Sequence, residues 1–114
     1  MVEPRGKVLL LGSEGCGSGD AALGYKVMGA LLEALPRHDD MPAAIVCWNT
    51  AVKLLAEGSP LIPHLKRLEE KGVSILAGKL CVDQLGLTNK IAVGEVATLG
   101  EVLDVILNGD VVSL

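Results

Sequence analysis

The sequence predicts a three-layer α/β/α domain with a mainly parallel sheet of about five strands. Short apolar runs rich in Val, Leu and Ile, such as residues 7–12 and 43–48, are typical of parallel strands buried on both faces. They alternate with longer stretches whose apolar residues recur every three or four positions, as in residues 21–35, which is the period of an amphipathic helix. This alternation is typical of α/β proteins, and 114 residues are enough for one domain that spans residues 1–114.

The first third of the chain predicts a strand, a glycine-rich loop and a helix. Residues 7–12 form the strand, and the loop of residues 13–20 follows it. Asp20 has the side chain of an N-cap for a helix over residues 21–35, and Pro36 ends that helix because proline cannot continue it.

The rest of the chain continues the alternation. Ser59 and Pro60 are typical of an N-cap and a first helical residue, while Thr98 and Glu101 have the spacing of a capping box. The predicted elements are a strand at 43–48, a short helical piece that opens at Asn49 and Thr50, a helix at 60–70, a strand at 73–77, a short helix around Cys81, a strand at 91–96, a helix at 99–107 and a strand at 111–112.

The amino-acid composition and net charge limit the classes of binding partner that we expect. Half of the residues are hydrophobic, the mean hydropathy is +0.47, and the only aromatic side chains are one Trp and one Tyr, so we expect an aliphatic core and a further apolar surface that a homo-oligomer covers. The net charge of −4, without a cluster of Lys or Arg, makes nucleic acid an unlikely partner. No apolar run is long enough for a membrane span, so no membrane is expected.

The three cysteines are odd in number and far apart, which favours a reducing compartment, by default the cytoplasm. Cys16, Cys47 and Cys81 each fall at or just after the end of a predicted strand. Because ligands of such sheets bind beyond the carboxyl ends of the strands, we expect a functional edge there.

Cys81 is the candidate nucleophile, because a buried strand at 73–77 leads into a short helix at this residue. Unpaired amides and the dipole at the start of a helix favour an anion, and Lys79 would add positive potential, so the thiolate would be favoured. Asp83 is a first-turn acid of the same helix. The competing interpretation is that Cys81 is a small buried apolar residue, as many free cysteines are.

The other motifs are weaker indications of a functional site. Residues 17–22 fit G-x-G-x-x-A, but Asp20 would place a carboxylate where a pyrophosphate binds, so a helix cap and a tight turn explain this loop better. Neither C-x-x-C nor His-x-x-x-His occurs, so no metal and no cofactor are expected. Trp48 is a core or interface residue, or it lines the cleft at the strand ends.

The sequence resembles the DsrE-like superfamily, and more narrowly the DsrE-like domain of YedF-type proteins, which is associated with sulfur and selenium metabolism. The resemblance covers nearly the whole chain. It rests on ordered blocks at residues 17–24 (Gly-Ser-Gly-Asp-Ala-Ala-Leu-Gly), 49–54 (Asn-Thr-Ala-Val-Lys-Leu), 57–60 (Glu-Gly-Ser-Pro), 65–76 (Leu-Lys-x-Leu-Glu-x-x-Gly-Val-x-Ile-Leu), 81–87 (Cys-x-Asp-x-x-Gly-Leu) and 92–94 (Ala-Val-Gly).

This resemblance implies a DsrE/TusD-like fold that assembles into homotrimers, hexamers or heterohexamers. It also implies a possible sulfurtransferase role in which Cys81 carries a persulfide between sulfur donor and acceptor proteins. The expected pocket is bordered by the glycine loop with Gly17 and Gly19, by Asn49 and Thr50, and by Lys79 and Asp83.

Two departures from the YedF-type pattern change that expectation. In YedF-type domains a second cysteine often stands three residues before the position of Cys81, where this chain has Gly78. A TusA-like domain also precedes the DsrE-like domain in many YedF-type proteins, and this sequence lacks it. The sulfur donor is therefore expected to be another chain. The alternatives are an oligomeric binding or scaffold protein without sulfur chemistry, and a small-molecule or nucleotide-binding module.

Overall fold

The structure is a computed structural model that describes residues 6–114. Its sheet contains five parallel strands in the order β4-β3-β2-β1-β5. They are β1 (Lys7–Leu11), β2 (Ala44–Cys47), β3 (Ser74–Gly78), β4 (Glu95–Ala97) and β5 (Asp110–Ser113). The predicted parallel sheet is therefore confirmed.

Four α-helices connect the strands within the described residues: α1 (Ala21–Ala34), α2 (Ile62–Glu70), α3 (Lys79–Gln84) and α4 (Leu99–Asn108). Two 3₁₀ segments, Leu35–Arg37 and Asn49–Leu55, complete the connections.

Helices cover both faces of the sheet, which makes the three predicted layers. On one face α1 and α2 pack against the sheet, with Met28 and Leu65 in the same buried cluster as Ile45 of β2. On the other face α4 buries Val102 and Val105 against alternate strand residues. The alternation follows because successive side chains of a strand point to opposite faces.

Two predicted helix starts are confirmed by their caps. Asp20 accepts a hydrogen bond from the Leu23 amide at 2.8 Å, at the start of α1. Thr98 and Glu101 form the reciprocal capping box of α4. Each cap satisfies amides that the first turn of a helix leaves unpaired.

The predicted start of the helix at Pro60 is wrong by two residues. The hydroxyl of Ser59 accepts from the Leu61 amide at 3.2 Å and closes a turn, so α2 begins at Ile62. The fold tolerates Pro63 early in the helix because an amide in the first turn has no partner within the helix.

The fourth strand also differs from the prediction of residues 91–96. Gly94 has a φ of +82°, which extended strands do not adopt, so β4 begins only at Glu95. Ile91 instead forms an isolated antiparallel bridge with Ala56.

Candidate functional site

The carboxyl ends of the parallel strands meet at one edge of the sheet. Cys47 ends β2 and is paired in register with Leu11 of β1 and Ala77 of β3. The segments that follow these strands are therefore neighbours, as the positions of the three cysteines predicted.

Cys81 is the third residue of α3 and is half-buried. The backbone amide of Asn49 donates a hydrogen bond to its Sγ at 3.0 Å. The sequence predicted donors from the first turn of Cys81's own helix, whereas the donor that contacts Sγ comes from the segment after β2. This contact arises because β2 and β3 are adjacent and parallel, so that the residues following them lie side by side.

An unusual backbone conformation aims this amide at the thiol. Trp48 is extended, with a φ of −136°, and Asn49 has a φ of +52°, in the left-handed region. Asparagine tolerates that region better than other non-glycine residues, although it still costs about 1 kcal/mol. The same change of direction starts the 3₁₀ segment Asn49–Leu55, whose first amide has no carbonyl partner within the segment.

We expect Asn49→Val to slow alkylation of Cys81 by iodoacetamide at pH 7 about tenfold, because a β-branched residue disfavours a positive φ and the amide turns away from Sγ. Asn49→Gly is the matched control, because glycine keeps the backbone conformation and should keep the rate. Peptide mass mapping of Cys81 against time measures both variants. Equal rates for the Val and Gly variants would show that this amide does not activate the thiol.

Cys81 opens into a cleft of about 450 Å³. Segments after β2, β3 and β4 build it, because these strands are adjacent in the sheet. Its lining residues are Trp48, Asn49, Gly78, Lys79, Leu80, Cys81, Gln84, Leu85, Leu99 and Val102. A cleft of this size is within the range of small-molecule sites.

Lys79 and Asp83, both predicted to border the site, bind each other. The prediction of Asp83 as a first-turn acid is wrong, because α3 begins at Lys79 and Asp83 is its fifth residue. The Lys79 Nζ lies 2.7 Å from an Asp83 carboxylate oxygen, and Thr88 donates to the other oxygen at 2.9 Å. These hydrogen bonds, the one from Lys79 foremost, lower the pKa of Asp83, so the carboxylate is ionised at neutral pH. Lys79 lines the cleft as half of an ion pair.

The predicted glycine loop borders a different hollow. Gly17, Gly19 and Thr50 line a hollow of about 550 Å³ that shares no lining residue with the Cys81 cleft. Asp20 also lines it while capping α1, which agrees with the cap interpretation of this loop. The expected site residues are therefore separated: Asn49 and Lys79 line the cleft with Cys81, Thr50 lines the other hollow with the glycines, and Asp83 lines neither.

Burial raises the pKa of the other two cysteines. Cys47 is fully buried, and burial raises its pKa to about 12, so its thiol stays protonated at neutral pH. Burial also raises the pKa of Cys16, whose Sγ lies 3.7 Å from the sulfur of Met28.

Sequence reasoning missed the part of the cleft that α4 provides. Leu99 is 60% exposed at the start of this helix, and Val102 lies one turn later. The spacing of Leu99, Leu103 and Leu107 in the sequence signals a second apolar stripe on α4, but only the strand order places its first member beside Cys81.

Comparisons with known proteins support the fold. No family model matches the sequence, and no curated protein matches it. Among solved structures, the chain is similar to the ychN protein from E. coli, with a TM-score of 0.73, 19% identity and coverage of 96% of this chain and 99% of that one.

Two proteins of unknown function are also similar. MTH1491 from Methanobacterium thermoautotrophicum has a TM-score of 0.67 at 11% identity and covers 96% of this chain and 99% of its own. BT1422 from Bacteroides thetaiotaomicron has a TM-score of 0.60 at 19% identity, with 95% and 94% covered. At these identities the likeness shows a shared α/β fold.

Two structural features are absent from residues 6–114. In this part of the chain no helix is long and apolar enough to cross a membrane. The same residues contain no cluster of three or more His, Cys, Asp or Glu side chains that could hold a metal ion.

Proposed function

We propose that this protein is a sulfur-relay protein in which Cys81 carries sulfane sulfur as a persulfide. One observation carries the proposal. The half-buried thiol of Cys81, at the carboxyl ends of the strands, accepts a hydrogen bond from the Asn49 backbone amide at 3.0 Å. This hydrogen bond fixes Sγ beside the cleft of about 450 Å³ that Cys81 lines, where a sulfur donor can approach it.

The proposed loading step is a thiol–persulfide exchange. The Cys81 thiolate attacks the outer sulfur of a donor persulfide, a new S–S bond forms at Sγ, and the donor S–S bond breaks. The donor leaves as a thiolate, which takes up a proton, and no external oxidant or reductant is needed. An acceptor thiolate then removes the outer sulfur in the same way.

This chemistry suits the groups around Cys81. Thiol exchange requires a thiolate and access to it rather than a general base. Asp83, the carboxylate closest in sequence to Cys81, is engaged by Lys79 and Thr88. The three cysteines are unpaired, which suits a reducing compartment such as the cytoplasm.

A scaffold role is the second candidate, and exposed apolar side chains on α4 favour it. Leu99, Leu103 and Leu107 are 60%, 43% and 77% exposed at spacings of one helical turn. Such a stripe on a small chain suits contact with a second copy, in a homotrimer or homohexamer. Assembly is compatible with sulfur transfer, whereas a scaffold alone requires no reactive Cys81.

The discriminating experiment is persulfide loading. We expect the protein, treated with a slight excess of a low-molecular-weight persulfide, to gain the mass of one sulfur atom on Cys81, because this thiol lines the open cleft. Cys81→Ser should gain none, while Cys16→Ser should behave like the unaltered protein. Equal loading of the unaltered protein and Cys81→Ser, read by intact mass and peptide mapping, would refute the carrier role.

A further inference from the structure

We infer that the Cys81 cleft accepts an uncharged, apolar group next to the sulfur that reacts with Cys81, and that it discriminates against anionic sulfur compounds. As a substrate class this means hydrophobic organic persulfides rather than thiosulfate or acidic peptide persulfides. The inference rests on the proposed function only where it concerns sulfane sulfur. The selectivity of the cleft is a property of its walls.

The walls beside the thiol are apolar on three sides. Leu80 of α3, Leu85 immediately after that helix, Leu99 of α4 and Trp48 after β2 all line the cleft with Cys81. Leu80 is 68% exposed and Leu99 is 60% exposed, so both keep apolar surface in water. A bound apolar group would cover that surface and gain roughly 25 cal/mol for each Å² removed from water.

The charge at the cleft is that of one exposed ion pair. Lys79 is the one basic residue among those that line it, and its ammonium group is paired with Asp83 at 2.7 Å. The Asn49 amide is already directed at Sγ. An anion entering the cleft would lose hydration and would have to compete with the Asp83 carboxylate for Lys79, which is unfavourable.

Methanethiosulfonates test this selectivity because they react like a donor of sulfur. The Cys81 thiolate attacks their sulfenyl sulfur, a mixed disulfide forms, and methanesulfinate leaves. The probes are the uncharged benzyl reagent and the anionic 2-sulfonatoethyl reagent. Each rate at Cys81, measured by peptide mapping of the folded protein, is divided by the rate of the same reagent with 2-mercaptoethanol.

We expect the normalised benzyl rate to exceed the sulfonatoethyl rate about tenfold or more. Leu99→Gln should lower this ratio at least threefold, because it removes an apolar wall. Leu107→Gln is the matched control: Leu107 is a leucine of the same helix, 77% exposed, and it does not line the cleft. This variant should leave the ratio unchanged.

Asp83→Asn tests the role of the ion pair. Freed of its partner, Lys79 should attract the anionic reagent and raise its rate severalfold, with little change in the benzyl rate. Asp83 is exposed, so this variant should fold. A ratio near one in the unaltered protein, or equal ratios for the Leu99 and Leu107 variants, would overturn the inference.

The persulfide-loading experiment and the selectivity experiment are interpreted independently. If Cys81 shows the apolar preference but accepts no sulfane sulfur, the carrier role fails while the selectivity of the cleft stands. If Cys81 is loaded but the ratio is near one, the carrier role stands and the apolar substrate class fails.

Discussion

The substitution Gly78→Cys is expected to turn Cys81 from a carrier of sulfane sulfur into a site that releases it as hydrogen sulfide. A Cβ at position 78 would lie 3.8 Å from the Cys81 Sγ. An S–S bond is about 2.0 Å long and the introduced sulfur lies one bond from this Cβ, so rotation about χ1 can bring it towards the Cys81 Sγ. The position accepts a side chain, because the φ of Gly78 is −61° and its other new contacts are 3.6 Å or longer.

The introduced thiolate would attack the Sγ of the Cys81 persulfide. An intrachain disulfide forms, the bond between Sγ and the outer sulfur breaks, and hydrosulfide leaves and takes up a proton. We therefore expect about one equivalent of hydrogen sulfide per chain and almost complete loss of the persulfide. Intact mass and a sulfide assay, after persulfide loading, measure both products.

Gly78→Ser is the matched control, since it adds a side chain of similar size without a thiol. It should keep the persulfide and release no sulfide. A persulfide that persists in the Gly78→Cys protein would mean that the introduced thiol does not reach the Cys81 Sγ, contrary to this prediction.

Gly94→Ala is expected to lower the free energy of unfolding by about 2–4 kcal/mol, the largest loss of stability among the substitutions considered. Gly94 has a φ of +82°, where an L side chain is strained. A Cβ there would lie 2.8 Å from the carbonyl oxygen of Ile75 and 2.9 Å from its Cγ2. Ile75 is buried in β3, between two neighbouring strands, so it cannot move away cheaply.

The substitution Gly58→Ala separates the cost of backbone strain from the cost of the close contact with Ile75. Gly58 also has a positive φ, +90°, but a Cβ there would meet no atom within 4 Å. The free energy of unfolding of Gly58→Ala should therefore fall by only about 1 kcal/mol, from backbone strain alone. Urea unfolding measures both variants, and equal losses would show that the contact with Ile75 is relieved by a small shift of β3.

The sequence by itself determined the architecture, because the signals that define it are local. Unbroken apolar runs identified the parallel strands, and helical spacing with the caps at Asp20 and Thr98 identified α1 and α4. It also singled out Cys81 and placed it at the strand-to-helix turn. Local signals were ambiguous at Ser59, where one hydroxyl forms either a helix cap or a turn.

Only the tertiary structure decided what surrounds Cys81, because those contacts join segments that are distant in the chain. The Asn49 amide reaches Sγ across 32 residues because β2 and β3 are neighbours in the sheet. The strand order brings Leu99 of α4 to the same cleft and places Thr50 and the glycine loop at another. A one-dimensional pattern carries the periodicity of each element, whereas the composition of a site depends on which elements pack side by side.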